Sequence, residues 1–164
     1  MKYLPFLFFS FIVLNSYSQY SFTGIANSNV SIQPVVAMHI IPTNYTVNYN
    51  TIDQIVNGIT LNLNTIQIKS NIPWKFNIAA TSPFFSNTGV GSNSNMPSSI
   101  VKLGVQNQTG TINLSTATQT LKNGNRGSFT SSGNSFTITL NANPGFEYGP
   151  GIYIISVNYT LTAQ

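Results

Sequence analysis

The sequence predicts an all-β protein built as a sandwich of antiparallel sheets. Apolar and polar residues alternate with a period of two along most of the chain, as in strands with one buried face. Short groups of turn-forming residues, mostly Asn and Gly, separate these segments at short intervals. No segment shows the 3.6-residue period of an amphipathic helix of useful length. Together these three observations are typical of an immunoglobulin-like β-sandwich.

The clearest strand is predicted at the C-terminus, where every second residue from 153 to 163 is apolar. Weaker alternation predicts further strands at 30–41, 45–49, 59–68, 74–78 and 136–140. Within residues 59–68 the apolar positions shift by one between Leu63 and Ile66. Because such a shift would turn side chains to the wrong face, we expect a β-bulge or a strand break near residues 64–65.

Tight turns are predicted between the strands wherever Gly and Asn occur together. The candidates are Asn57-Gly58, Asn123-Gly124 and Ser132-Gly133-Asn134, while Asn143-Pro144-Gly145 and Gly149-Pro150-Gly151 are expected to bracket a loop before the last strand. Glycine and asparagine suit such turns because both tolerate the left-handed backbone conformation. Neither an internal repeat nor a linker divides the sequence, so we expect a single folded domain.

The N-terminus has the pattern of a secretory signal peptide. A lysine precedes an apolar segment at residues 4–14, and the small residues Ser16 and Ser18 mark a cleavage site. A membrane anchor is the alternative, but a run of about 11 apolar residues is shorter than the about 20 that cross a bilayer. We therefore expect residues 1–18 to be a signal peptide and residues 19–164 to form one exported domain without a membrane span.

The composition excludes several classes of function. Only 5% of the residues are charged, and the six Lys and Arg residues are spread along the chain without a cluster. Nucleic-acid binding requires a basic stripe, so we expect no nucleic-acid partner. The chain has no cysteine, which excludes a thiol nucleophile and any thiolate metal site.

Few residues are suited to catalysis. His39 is the only histidine and lies in an apolar segment, while Asp53 and Glu147 are the only acidic residues. General acid–base catalysis requires a positioned partner, and metal binding requires several grouped donors. A glycoside hydrolase would need Asp53 and Glu147 to converge in one cleft. We therefore expect no enzymatic activity, no cofactor and no metal site.

Trp74, the only tryptophan, supports two interpretations. Its alternation with Phe76 and Ile78 favours a place in the core, where an aromatic ring buries a large apolar area. Alternatively, Trp74 forms a stacking platform for a sugar ring, with Tyr148 and Tyr45 as helpers. On this second interpretation the protein is a carbohydrate-binding module of the β-sandwich type, and its partner is a polysaccharide.

Three segments resemble surface proteins of bacteria. Residues 70–78 (SNIPWKFNI) are similar to the segment around the first Trp-x-Leu motif of WxL domains, with Phe76 in place of the Leu. Residues 149–153 (GPGIY) and 157–164 (VNYTLTAQ) resemble the terminal strand of those domains, with Tyr159 in place of the second Trp. The same ending resembles fimbrial and spore-coat-U-like subunits. The resemblance implies a secreted β-sandwich that is used in surface structure.

These observations predict a secreted structural or adhesive cell-surface protein, a subunit of a fimbria-like fibre or coat. The expected partners are other copies of the chain or other surface proteins, bound through strand edges with unpaired N–H and C=O groups. Residues 19–29 are the candidate donor of an extended segment to a neighbour. Phe22 and Ala26 would fill alternate pockets there, and Gly24 would permit close approach.

Overall fold

The computed structural model describes residues 29–41, 45–92 and 95–164. The chain divides after Ile32, and all the described strands lie in the second unit, Gln33–Gln164. The predicted signal peptide at residues 1–18 and most of the candidate donor segment, residues 19–28, lie outside the described residues. Within the described part, no helix combines the length and the apolar character needed to cross a membrane.

The described chain consists of short strands with one α-helix and one 3-10 turn. The strands are β1 (Val36–Ile41), β2 (Ile59–Ser70), β3 (Trp74–Ala80), β4 (Ser86–Thr88), β5 (Val101–Val105), β6 (Thr111–Asn113), β7 (Gln119–Gly124), β8 (Ser135–Ala142), β9 (Ile152–Ile154) and β10 (Val157–Ala163). The helix α1 spans Ile52–Asn57, and the 3-10 turn spans Ser98–Ile100.

Two antiparallel sheets form the body of the protein. The larger sheet has the strand order β1-β2-β8-β5-β6, and the smaller one has the order β10-β3-β7. Strands β4 and β9 form a separate two-stranded ribbon. The two larger sheets pack face to face, so the prediction of an all-β antiparallel sandwich is confirmed.

The core lies between the two sheets and is made by alternate residues of their central strands. The larger sheet contributes Ile66, Ile68, Val101, Leu103, Val105, Phe136 and Ile138, and the smaller sheet contributes Trp74, Phe76, Ile78 and Ala80. Burying one large apolar side chain contributes about 1.5–3 kcal/mol relative to leaving it exposed. Because the chain has no cysteine, this packing and the ladder hydrogen bonds stabilise the fold without disulfides.

The β-bulge predicted near residues 64–65 is confirmed in β2. Its register against β8 shifts between Asn62 and Thr65. Before the shift Leu63 faces the core, and after it the inward positions are Asn64 and Ile66. The bulge thus turns the amide of Asn64 inward, where its Oδ1 accepts a hydrogen bond from the Tyr159 hydroxyl at 3.1 Å.

Residues 45–49, predicted as a strand, pair with no described strand. They have no regular secondary structure, and the hydroxyl of Tyr49 donates to the carbonyl oxygen of Ala142 at 2.9 Å. The helix α1 that follows was not predicted. A capping box begins it, because Thr51 Oγ1 accepts from the backbone N–H of Gln54 and the Gln54 side chain accepts from the backbone N–H of Thr51. Gly58 then ends the helix with a positive φ of 78°, so Asn57-Gly58 is not a hairpin turn.

Asn123-Gly124 is not a turn either, because both residues lie within β7. Gly124 pairs with Trp74, and a Cβ atom at this position would overlap the indole ring. The glycine is therefore required by packing and not by backbone conformation. In contrast, Gly133 has a positive φ angle of 83°, as expected for the third predicted turn. Gly145, in the loop expected before the last strand, has a φ of 64°.

The predicted C-terminal strand is divided between two sheets. Its first part, β9, pairs with β4, and its second part, β10, pairs with β3. The break falls at Ile155 and Ser156, yet the alternation continues across it, since Tyr153, Ile155 and Val157 are all half-buried. Periodicity therefore predicted the face of each residue correctly but not the change of pairing partner.

Candidate functional site

Trp74 lies in the core. Its side chain is 0% exposed and stacks against Phe136, with 6.1 Å between ring centroids. The indole Nε1 donates to the carbonyl oxygen of Asn125 at 3.0 Å and to Oδ1 of Asn134 at 3.3 Å. With both ring faces packed and the N–H bonded, Trp74 presents no surface on which a sugar ring could stack.

The structure does not bring the three proposed stacking residues together. Tyr45 is 50% exposed and precedes α1, and Tyr148 is half-buried in the loop after β8. That loop lies against the helix, since Gly145 N donates to the carbonyl oxygen of Ile55 at 3.2 Å. Trp74 instead contacts Phe136 near the start of β8. At about 3.3 Å per residue, this contact is roughly 20 Å from the other end of β8, where the loop with Tyr148 begins.

The titratable residues considered for catalysis lie on three separate elements. His39 is exposed on β1, opposite Gln67. Asp53 is exposed in the first turn of α1, where its carboxylate accepts from Nδ2 of Asn57 at 2.6 Å, and Glu147 is exposed in the loop after β8. Within the described ranges, no group of three His, Cys, Asp or Glu residues is placed to hold a metal ion.

A small cleft lies between the β4–β9 ribbon and the end of β3. Its volume is about 120 Å³, and it is lined by Phe84, Ile154, Ile155 and the hydroxyl residues Thr81, Ser82, Ser86 and Ser156. Thr81 and Ser86 donate their hydroxyl protons to the backbone carbonyl oxygens of Ser156 and Ile154. The hydroxyl oxygens remain as acceptors, and Phe84, 48% exposed, forms an apolar wall.

The free strand edges are the second candidate site. A sheet edge carries unpaired backbone N–H and C=O groups and is a template for pairing with another chain. The four edges of the sandwich are β1 and β6 in the larger sheet and β10 and β7 in the smaller one. Strand β10 packs beside β1, so the edges of both sheets adjoin on that side of the sandwich.

Two of these edges have features that protect natural sheets from unwanted pairing. Strand β6 is only three residues long. Strand β7 is bulged, because its register against β3 shifts between Phe76 and Asn77. It also carries Lys122, whose Nζ points over the ring of Phe136 at 5.3 Å from the centroid, and burial lowers the pKa of this amine.

Strand β1 is protected at its start by proline. The backbone N–H of Asn71 donates to the carbonyl oxygen of Val35, so the backbone groups of the odd-numbered residues of this strand point to β2 and those of the even-numbered residues point to the free side. Pro34 occupies an even-numbered position just before β1 and has no N–H group to offer to a further strand.

Strand β10 has none of these features. It is seven residues long, without a charged residue, a proline or a register shift against β3. At the two ends of β10, Thr81 N donates to the carbonyl oxygen of Ser156, and Gln164 N donates to that of Pro73. Because Ser156 and Gln164 are both even-numbered, the backbone groups of the even-numbered residues point to β3. The N–H and C=O groups of Val157, Tyr159 and Leu161 therefore point to the free side, where no described strand pairs with them.

The side chains of β10 are held in place by the rest of the sandwich. The Tyr159 ring stacks on Phe76 with 5.5 Å between centroids, and its hydroxyl donates to Asn64. Burial raises the pKa of this phenol, which keeps the donor protonated. On the outer face Asn77 Nδ2 donates to Thr162 Oγ1 at 3.4 Å. The edge is thus a preformed strand whose backbone needs no rearrangement to accept a partner.

No protein-family model and no curated protein matches this sequence. The candidate function therefore has to be argued from the residues of the chain itself. Of the two sites, the cleft was not anticipated from the sequence, since Phe84 lies among Ser and Pro residues without a regular pattern. The edge was anticipated only in general terms, because the sequence does not show which strands end a sheet.

Proposed function

We propose that this protein is an exported structural or adhesive component of the bacterial cell surface, and that it acts as a subunit of a fibre or coat. The observation that carries the proposal is the unprotected edge of β10, seven uncharged residues whose odd-numbered backbone groups are paired with no described strand. Natural sheet proteins protect such an edge unless it is used. Sparse charge and the signal-peptide pattern of residues 1–18 support an exported role.

Assembly is the property that tests this function. We expect the exported protein to form oligomers or fibres that electron microscopy detects both on the surface of the producing cell and in purified material. Sedimentation velocity should show a mass distribution that rises with protein concentration, as mass action requires. A protein that stays monomeric at high concentration and forms no structure on cells would contradict the proposal.

Carbohydrate binding is the second candidate, and the cleft beside Phe84 is the observation that favours it. The cleft joins an exposed aromatic face to several hydroxyl oxygens without any charged residue, a composition suited to a neutral sugar. Its volume of about 120 Å³ is below the roughly 300–1,000 Å³ of typical ligand pockets. It would therefore hold part of one sugar ring at the end or side of a polysaccharide.

Affinity gel electrophoresis in polysaccharide-containing gels tests this second candidate. The native protein should migrate more slowly in gels that contain its polysaccharide, and Phe84→Ala should lose most of that retardation because the stacking face is removed. Phe146→Ala is the matched control, since Phe146 is also exposed but lies in the loop after β8. Equal retardation of all three proteins would place binding elsewhere, and no retardation in any gel would remove the candidate.

A further inference from the structure

The edge of β10 has a sequence that is complementary to itself. In an antiparallel arrangement of two identical strands, one residue lies opposite its own copy and its neighbours pair symmetrically about it. With Thr160 at the centre, Val157 lies opposite Ala163 of the second copy and Tyr159 opposite its Leu161. All seven residues of the strand then have a partner, and no charged group meets another.

The backbone geometry limits the possible registers to alternate ones, and full overlap of the seven residues then centres the pair on Thr160. The groups available on the free side belong to the odd-numbered residues, and in this register every odd-numbered residue meets an odd-numbered residue of the second copy. These pairs can exchange both hydrogen bonds of an antiparallel ladder, whereas a shift by one residue would pair available groups with groups already bonded to β3. Two three-stranded sheets would then join into one continuous sheet of six strands.

The side chains agree with this arrangement on both faces. On the exposed face Thr160 meets Thr160 of the second copy, and Asn158 meets Thr162, which are uncharged pairs able to hydrogen-bond across strands. On the inner face Tyr159 and Leu161 are only half-buried, because the sheet ends at their strand. In the proposed pair, Leu161 of the second copy would cover the exposed side of Tyr159, and Tyr159 of the second copy would cover that of Leu161.

The other edges do not offer such a register. Strand β6 is three residues long, β7 is bulged and carries Lys122, and Pro34, just before β1, has no N–H group to offer on the free side of that strand. We propose that this protein self-associates through β10, which pairs with β10 of a second copy in the antiparallel register centred on Thr160. This inference rests on the proposed assembly function and names the partner of that edge. Because a two-fold axis through Thr160 closes the pair, it forms a dimeric building block, and a fibre or coat requires a second contact between dimers.

Cysteine cross-linking tests the register directly, because the chain contains no cysteine of its own. In the proposed ladder Thr160 forms a non-hydrogen-bonded pair with its copy, a separation that a disulfide can span. Under mild oxidation the exported Thr160→Cys protein should form covalent dimers, seen on non-reducing gels. Thr111→Cys on the short edge strand β6 is the matched control, because Thr111 is equally exposed and should cross-link far more slowly.

A mixing experiment tests the register at a second position. Asn158→Cys alone should give little dimer, because residue 158 lies opposite residue 162, whereas Asn158→Cys mixed with Thr162→Cys should give abundant heterodimer. Charge provides an independent check in sedimentation velocity. Thr160→Lys and Thr160→Glu should each lose the β10 pair, since like charges would face each other, and an equimolar mixture should regain it.

The outcomes separate this inference from the proposed function. If Thr160→Cys cross-links no faster than Thr111→Cys while the native protein still assembles, pairing through β10 is wrong but the assembly function stands. Loss of those assemblies on deletion of residues 19–29 would then assign the contact to the N-terminal donor segment. If the native protein never assembles, both the inference and the function are wrong.

Discussion

Replacing Trp74 by alanine is expected to lower the free energy of unfolding by about 3–5 kcal/mol, the range for deletion of a large buried aromatic side chain. The indole is fully buried between the sheets and stacks on Phe136. Its removal leaves a cavity and deprives Oδ1 of Asn134 of its donor. Asn134 is itself buried, and among the described residues its Nδ2 already has no hydrogen-bond partner. A loss of this size is a large part of the stability of a domain.

Urea unfolding followed by circular dichroism measures this effect, because the variant has no tryptophan left to report by fluorescence. Trp74→Phe is the control: it keeps an aromatic ring in the core and should cost less than the alanine variant. In the native protein the single tryptophan should emit at short wavelength and resist quenching by iodide. An alanine variant as stable as the native protein would show that the indole contributes little to the core.

Replacing Gly124 by alanine is expected to destabilise the protein by about 1–3 kcal/mol, the usual cost of overpacking a core, although it adds a single methyl group. The new Cβ would overlap Cζ2 and Cε2 of Trp74, so either the ring or β7 has to move. The ring is held by Phe136 and by two hydrogen bonds from its Nε1, which limits its movement. Steric overlap is therefore the expected cause of the lost stability, since Gly124 does not have a left-handed backbone conformation that alanine would disfavour.

A double-mutant cycle identifies that cause. The overlapping atoms belong to the six-membered ring of the indole, which phenylalanine does not place at the same point, so Gly124→Ala should cost less in the Trp74→Phe protein than in the native one. Asn123→Ala, at the exposed neighbouring position, is the control and should change stability by less than about 0.5 kcal/mol. If the cost of Gly124→Ala is the same in both backgrounds, the contact with Trp74 is not its cause.

Several features of this fold could be read from local sequence alone. The period of two predicted β1, β2, β3, β8 and β10 but missed β4, β5, β6 and β7. The shift between Leu63 and Ile66 predicted the bulge in β2, because burial alternates with residue position along an extended chain. The same argument favoured a core position for Trp74, which the structure places at 0% exposure. The capping box of Thr51 and Gln54 was also present in the sequence, but α1 spans only six residues, too few for a 3.6-residue period to stand out, and was missed.

Other features depend on residues that are distant in sequence. Asn123-Gly124 has the composition of a turn, yet Gly124 lies in a strand because Trp74, fifty positions earlier, occupies the space of a side chain. The continuous alternation at the C-terminus concealed the division into β9 and β10, since alternation reports which face is buried and not which strand is the neighbour. Residues 45–49 alternate too, but no strand lies beside them to complete a ladder in the described chain.

The edge of β10 shows most clearly the difference between what local sequence predicts and what distant residues decide. Its composition, seven residues without charge or proline, is visible in the sequence and describes a central strand as well as an edge. Only the assembled sheets show that β3 occupies one side of β10 and no described strand occupies the other. Side-chain alternation is a local property of an extended chain, whereas hydrogen-bond partners are chosen when distant segments come together, and the surface available for assembly follows from that choice.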